Sequence, residues 1–352
     1  MLRFLTAGES HGPALVGIIE GLPSNFALDI ALIDDELKRR QEVQGRGLRM
    51  NIEQDKVSVL SGMRAGKTLG SPLTFIIHNV DYVNWKGVMG HSSVSDERRV
   101  TAPRPGHADF PGMIKYGFSD ARNVLERASA RETAMRTAIG AVAKQILAAN
   151  NITLYSRVIS LGELELSAGE PTKVQMMSCR NQPLGFPCSE KIKEAKELLE
   201  KCQKEKMSVG GIFEVAVFGL PVGLGTYVQA DRRLDGQLAG QLMSIPGVKG
   251  LEIGPAFAMA TAKIGAAGDS LCFDEQAGYY YEGNANGGLA GGMTTGQPLV
   301  VRCAVKPPPT AMPGRTVDID SKCVVSPARE RSDTCIVPAA AIVGEAVVAW
   351  VL

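Results

Sequence analysis

Two short apolar runs open the chain, at residues 3–6 and 14–20. They are separated by GESHGP and closed by GLP, and read as strands bounded by turns. Over residues 31–40 the pattern changes to a helix, with Asp29 at the N-cap position and Leu32, Ile33 and Leu37 sharing a face. Residues 56–60 and 73–78 return to strand character. From 79 to 113 the chain is polar and broken by glycine and proline, and an irregular stretch of that length is usually functional. The clearest helix is expected over 130–149. Ser129 stands at its N-cap and Glu132 completes a capping-box pattern. Met135, Ile139, Val142, Ile146 and Leu147 form its apolar stripe, and Ala134, Ala138 and Ala141 suit the close approach of another helix.

Residues 168–208 read as a surface insertion, in which 189–206 is a charged amphipathic helix with a solvated face. A strand over 211–218 and a helix over 235–243 follow. A glycine-rich loop, 284–298, leads into a strand at 299–305, and an Ala/Val-rich helix over 339–351 ends the sequence. Strands and helices mix without a βαβ rhythm, so an α+β fold is expected. No linker or repeat interrupts residues 1–352, which are taken as a single large domain.

The 352 residues carry a net charge of +1, so no global field attracts nucleic acid or an anionic membrane, and any anion site must be a local cluster. No apolar run reaches the roughly 18 residues of a membrane span, and the first residues lack the apolar core of a signal peptide. The seven cysteines are odd in number and form no CxxC pair. They read as reduced thiols of a cytoplasmic protein, neither a disulfide frame nor a metal site.

Six segments carry candidate chemistry. GESHG, residues 8–12, matches the serine-hydrolase elbow, yet that elbow needs a helix directly after the serine and a histidine late in the chain; Pro13 and a strand follow, and the last histidine is His107. His11, between small residues in a tight loop, suits a catalytic or cofactor contact. RRQEVQGRGLRM, residues 39–50, sets Arg39, Arg40, Arg46 and Arg49 against one acid, as either a solvated helix end or a clamp for phosphate and carboxylate. RPGHADFPG, residues 104–112, is a turn presenting Arg104, His107 and Asp109, or one that Asp109 merely caps. ERASARETAMR, residues 126–136, adds Arg127 and Arg131 to a helix start, where free N–H groups already favour anions. GGMTTG and KPPPT flank one strand, but neither a P-loop nor the dinucleotide fingerprint is present. RSDTC, residues 331–335, offers an arginine and an aspartate. A non-catalytic polyanion-binding module would use the same arginines, but it calls for a basic excess or clustered aromatics, and aromatics are only 5%.

Taken in order, GESHG, RR…GRG.RM.IEQDKV..LSG, RPGHAD, SARETAMR, MSIPGVKGLEIG, NANGG..GGMTTG.P, KPPPT and RSDTC resemble chorismate synthase from residue 3 to the C-terminus. The resemblance implies the β-α-β sandwich of that family, a homotetramer, and reduced FMN as cofactor. It implies a trans-1,4 elimination of phosphate from 5-enolpyruvylshikimate 3-phosphate to give chorismate, without net redox change, as the last common step toward the aromatic amino acids. By position it implies that Ser10, Arg40, Arg46, Arg49, Arg104, Ser129 and Arg131 bind substrate, and that His11, His107 and Asp333 are catalytic. Arg127, Ala128, Ser129, Pro246, Gly247, Gly291, Lys306, Pro307, Pro308, Pro309, Thr310 and Arg331 would contact FMN. NADPH is implied as a reductant, with Arg40 and Arg46 as its contacts. Two departures stand out. Many relatives have a proline before Gly45 where this chain has RRQEVQG, and the three prolines of KPPPT remove N–H donors, shifting phosphate binding onto Lys306 and Thr310.

Overall fold

The structure is a computed structural model and describes every residue except Met1, 47–51, 92–94, 167–168, 187–188, 263–267, 277, 310–313 and 329–332. The chain separates into two compact units. One comprises residues 1–139, 197–209 and 307–336; the other comprises 140–196, 210–306 and 337–352.

The first unit is built on a four-stranded antiparallel sheet. Its two inner strands, Ala14–Glu20 and Leu73–His78, alternate as their period-two pattern requires. The register pairs Ile19 with Leu73, Gly17 with Phe75 and Leu15 with Ile77, all buried on one face. Each such large side chain removed from water contributes roughly 1.5–3 kcal/mol. Gly17 is the gap in this face: a Cβ there would lie 2.5 Å from Met135 Sδ and 3.2 Å from Ile139 Cδ1. The absent side chain lets the first turns of the helix Thr133–Ala149 settle on the sheet.

Helix Ile30–Glu42 starts where expected, with the Asp29 carboxylate accepting from Ala31 N. Its buried stripe is Ile33, Glu36, Leu37 and Arg40, and Leu32 is exposed. The three-and-four spacing thus carries one arginine into the core. Ser129 caps the next long helix as expected, its hydroxyl accepting from Arg131 N. The opening turn, Ala130–Glu132, is 3-10, and Glu132 turns to Arg136 Nε at 3.0 Å. The reciprocal half of a capping box appears instead at Thr172 and Gln175, ahead of helix Lys173–Cys179.

The second unit is built on a five-stranded antiparallel sheet. Strand Gly211–Phe218 is buried on both faces, which explains why GIFEVAVF reads as a nearly continuous apolar run. One face, with Phe213 and Val215, lies under helix Val337–Val351, where an added Cβ on Gly344 would be 2.6 Å from the Phe213 ring. On the other face Met176 packs with Ala216 and Val300. There the register lines up Arg157, Glu214, Arg302 and Glu252, so the buried Glu214 carboxylate is flanked by two guanidiniums at 2.8 and 2.7 Å. Residues 168–208 hold helices Lys173–Cys179 and Ser189–Lys204 and contribute Met176, Phe186 and Ala195 to the buried interior. The glycine-rich loop contains a small hairpin, Leu289–Ala290 with Met293–Thr294. Mixed helices and antiparallel sheets make this the expected α+β fold.

Candidate active site

The turn joining the first two strands is fixed by its backbone. Gly8 has φ +100°, and a Cβ there would sit 2.2 Å from Ala14 O, so no other residue closes this turn without strain. Asn79 braces it from the outside, donating from Nδ2 to Glu9 O (3.1 Å) and Gly12 O (2.8 Å). Inside the turn Ser10 N donates to Glu126 O (2.9 Å), and His11 N to Glu126 Oε2 (2.8 Å). His11 Nδ1 lies 3.0 Å from both Glu126 carboxylate oxygens. Its ring stacks on Trp85, with centroids 3.8 Å apart and planes 20° from parallel. The buried Ser10 hydroxyl receives a hydrogen bond from Ser129 Oγ at 3.2 Å. A strand, Ala14–Glu20, follows the loop rather than a helix, and His11 pairs with a carboxylate, so the hydrolase arrangement is not formed.

Glu126 receives a further hydrogen bond from Arg122 Nη1 at 3.1 Å. Burial opposes ionisation of this carboxyl, but the bonds from His11 and Arg122 outweigh it and hold the group below the usual carboxylate range.

The arginines differ in how they are held. Arg131 is buried and held by residues of its own unit: Nη1 donates to both Asp55 oxygens (2.6 and 2.7 Å), and Nε and Nη2 donate to Asn79 Oδ1. Arg104 is held similarly, with Nε and Nη2 forming a fork onto the buried Asp109 at 2.8 and 2.9 Å. This fork closes the turn that carries His107, with Gly106 at φ +76°. Arg46 pairs with Asp333 at 3.2 Å.

Arg40 differs from these. It is 1% exposed; Nε donates to Thr133 Oγ1 and Nη2 to Ala130 O, and Nη1 makes no hydrogen bond among the described residues, its nearest carboxylate oxygen being Asp55 Oδ2 at 3.7 Å. Burial first, and then the Arg46 cation, push this guanidinium down to about 9, with Asp55 partly offsetting them. It stays a cation at neutral pH, and a buried donor of this kind is costly until an acceptor meets it.

Ser10, His11, Arg40, Arg46, Ser129, Arg131 and Asp333 all belong to the first unit, as do Arg104, His107, Arg127 and Ala128. Arg127 lies on strand Arg3–Ala7, donating to Thr6 O, Thr6 Oγ1 and Gly8 O. In the same unit Pro308 O accepts from Ser208 Oγ at 2.7 Å, with Pro307 and Pro309 on either side. Pro246, Gly247, Gly291 and Lys306 belong to the second unit. There Lys306 N donates to Gly247 O at 2.9 Å, and Gly291, at φ +57°, has open space where a Cβ would be. Arg49, Thr310 and Arg331 lie outside the described residues. No His, Cys, Asp and Glu grouping able to hold a metal ion occurs among the described residues. The buried thiols are poor nucleophiles, since burial pushes Cys179 up to about 11 and Cys303 to about 12.

Sequence reading did not single out Glu126, Trp85, Asn79 or Asp55. The detectable signal was Arg122 followed four residues later by Glu126, a helical ion pair directly before the arginine-rich helix start.

The sequence model of the chorismate synthase family matches residues 2–352. The chain is 49% identical to the chorismate synthase of Alkaliphilus metalliredigens (strain QYMF), over all of this chain and 93% of that protein. It is 47% identical to the chorismate synthase of Sulfurihydrogenibium sp. (strain YO3AOP1), over all of this chain and 92% of that one. Among solved structures, a crystal structure of chorismate synthase superposes with a TM-score of 0.80 at 38% identity, covering 99% of this chain and 90% of the other.

Proposed function

The chain belongs to the chorismate synthase family, and from that premise we propose how its residues carry out the trans-1,4 elimination of phosphate from 5-enolpyruvylshikimate 3-phosphate. The observation that supports the reading is the buried Arg40 cation with a donor left over for an anion. The substrate carries a phosphate and two carboxylates, and the neutral balance of the whole chain leaves their recognition to such local groups.

The same donor chemistry fits a phosphate-bearing flavin. Arg127, Ala128 and Ser129 would hold FMN in the first unit, and Pro246, Gly247, Gly291 and Lys306 are the candidates in the second. The chemistry supplied by reduced FMN when bound is electron donation that eases loss of phosphate from C3 before the C6 proton leaves. The residues of the chain orient and protonate. Arg40 and Arg46 hold the substrate anions, with the Ser10 and Ser129 hydroxyls beside them. His11 gives a proton to the departing phosphate, which leaves with the electron pair of the C3–O bond. His107 keeps flavin and substrate in the required protonation state, and Asp333, paired with Arg46, relays the proton that leaves C6. Arg104 and Arg131, oriented by the carboxylates of Asp109 and Asp55, are proposed to add further guanidinium contacts to the substrate anions. The enzyme is further proposed to be a cytoplasmic homotetramer; among the described residues no helix is long and apolar enough to cross a membrane.

The test is an anaerobic assay of the purified protein with the enolpyruvyl substrate and chemically reduced FMN, following chorismate by absorbance. Product is expected only with reduced flavin, and turnover without flavin overturns the reading. An arm with NADPH and oxidised FMN distinguishes an enzyme that reduces its own flavin from one that is supplied with it.

A further inference from the structure

The contacts of His11 are more restrictive than a proton donor by itself requires. Stacking on Trp85 fixes the plane of the ring, and Glu126 fixes which edge of the ring faces it, because a flip about Cβ–Cγ would replace Nδ1 with a carbon opposite the carboxylate. One carboxylate serves three donors: His11 N, His11 Nδ1 and Arg122 Nη1. Its backbone carbonyl holds a fourth, Ser10 N. Arg122 in turn is anchored by donating from Nε to Arg98 O, and the Arg98 and Arg122 guanidiniums lie 4.0 and 5.2 Å from the Trp85 ring centroid. Asp81 accepts from Trp85 Nε1 at 3.3 Å, so Glu126, Arg122, Arg98 and Asp81 are charged groups that the described contacts place around the imidazole and its stacking partner.

We propose that Glu126 is a positioning residue for the elimination, holding His11 so that Nδ1 keeps its proton and Nε2 is the nitrogen that releases one. The hydrogen bond at one ring nitrogen decides the role of the other. With Nδ1–H pinned on the carboxylate, the imidazolium loses only its Nε2 proton, which passes to the phosphate oxygen as the C3–O bond breaks. The neutral imidazole that remains carries its hydrogen on Nδ1. Only a carboxylate meets the need. It offers acceptor sites to all three donors, whereas an amide of the same shape presents its own N–H groups to at least one of them. The depressed carboxyl of Glu126 agrees with this, since it remains an acceptor throughout the range in which imidazole titrates. The proposal rests on the reading of His11 as proton donor, and its test separates the two.

Glu126→Gln, Glu126→Asp and His11→Ala are compared with wild type for kcat, KM and melting temperature, and the His11 ring is followed by nitrogen-15 NMR in the wild type and the two Glu126 variants. The neutral His11 of the wild type is expected to show its proton on Nδ1, and Glu126→Gln is expected to lose that preference. kcat should fall about 10- to 10⁴-fold in Glu126→Gln, the upper end being that for loss of an orienting carboxylate behind a catalytic imidazole, with KM changed less than threefold. Glu126→Asp retains the charge and should fall between the two; it carries the test if the glutamine variant does not fold. An unchanged tautomer, or wild-type kcat in Glu126→Gln, overturns the proposal. Wild-type kcat in His11→Ala sinks the proton-donor reading instead, while a tautomer shift in Glu126→Gln still supports the positioning contact.

Discussion

Asp318 is an acceptor on which several short bonds converge. The N–H of Ser321 contributes most, then the hydroxyls of Thr101 and Ser321 and the N–H of Asp320, and together they bring the carboxyl down to about 2. An unfolded aspartate titrates near 3.9. Its stabilising effect is therefore complete above about pH 4 and is lost as pH falls toward 2. Asp318→Asn lacks the carboxylate at every pH. Its melting temperature should lie below wild type at pH 7, and the gap should narrow as pH is lowered from 4; a gap independent of pH would remove the carboxylate from the account. At this scale the sequence was informative where a residue type has few uses. A histidine in a glycine-flanked loop and arginines beside glycines mark candidate positions, and His11, Arg40 and Arg46 do fall in one unit. The partners were hidden because they are distant in sequence: Glu126 lies 115 positions from His11, and Asp55 lies 76 from Arg131. Spacing rules see only neighbours on the same element.

The elements read from an intact period, such as Ala14–Glu20, Ile30–Glu42 and Gly211–Phe218, match to within a few residues, whereas strands Thr153–Leu161 and Val248–Ile253, the pair Ser270–Asp274 and Gly278–Glu282, and helix Asp109–Tyr116 went unread. Leu32 joined the expected apolar face of its helix, but the buried face is Ile33, Glu36, Leu37 and Arg40, so a charged residue took the place of an aliphatic one. The small-residue stripe on the long helix was read as a close approach. In the second unit a close approach occurs instead at Gly140, outside that stripe, where an added Cβ would lie 2.3 Å from Ala346 Cβ and 2.4 Å from its Cα. Replacing a helical glycine with alanine ordinarily stabilises by about 0.5–1 kcal/mol. At Gly140 the sign should reverse. The neighbour is backbone and cannot rotate away, so Gly140→Ala should cost about 1–3 kcal/mol through overpacking. Gly240, exposed on helix Leu234–Met243 with nothing within 4 Å, is the control, and Gly240→Ala should gain about 0.5–1 kcal/mol. Urea midpoints read both signs, and a stabilised Gly140→Ala would mean that the two helices can separate at little cost.

At the scale of the whole molecule the sequence offered no border, and the reason lies in the path of the chain. Each compact unit is assembled from three separate runs, so no single stretch could act as a linker. The first run of the first unit, residues 1–139, depends on the later ones for backbone pairing. Gly45 O accepts from Thr334 N and Cys335 N, Thr101 O from Ile319 N, and Ala102 O from Ala328 N. Ile319 and Ala328 also pack on the cluster of Val100, Met113, Ala121 and Leu125. An isolated fragment 1–139 would keep its four-stranded sheet pattern but lose these acceptors' partners and the apolar cover of that cluster, and buried groups left so are costly. It should therefore melt broadly, without the single cooperative transition of the full chain, when followed by circular dichroism. The Arg46–Asp333 pair is lost in the same fragment, so the candidate site should fail with the packing rather than independently of it. Adding residues 307–336 as a separate peptide should restore part of the transition, because most of the missing pairs come from that run. A sharp melt for the fragment alone would mean that the first sheet and its helices suffice, and that the later runs only decorate a unit already formed.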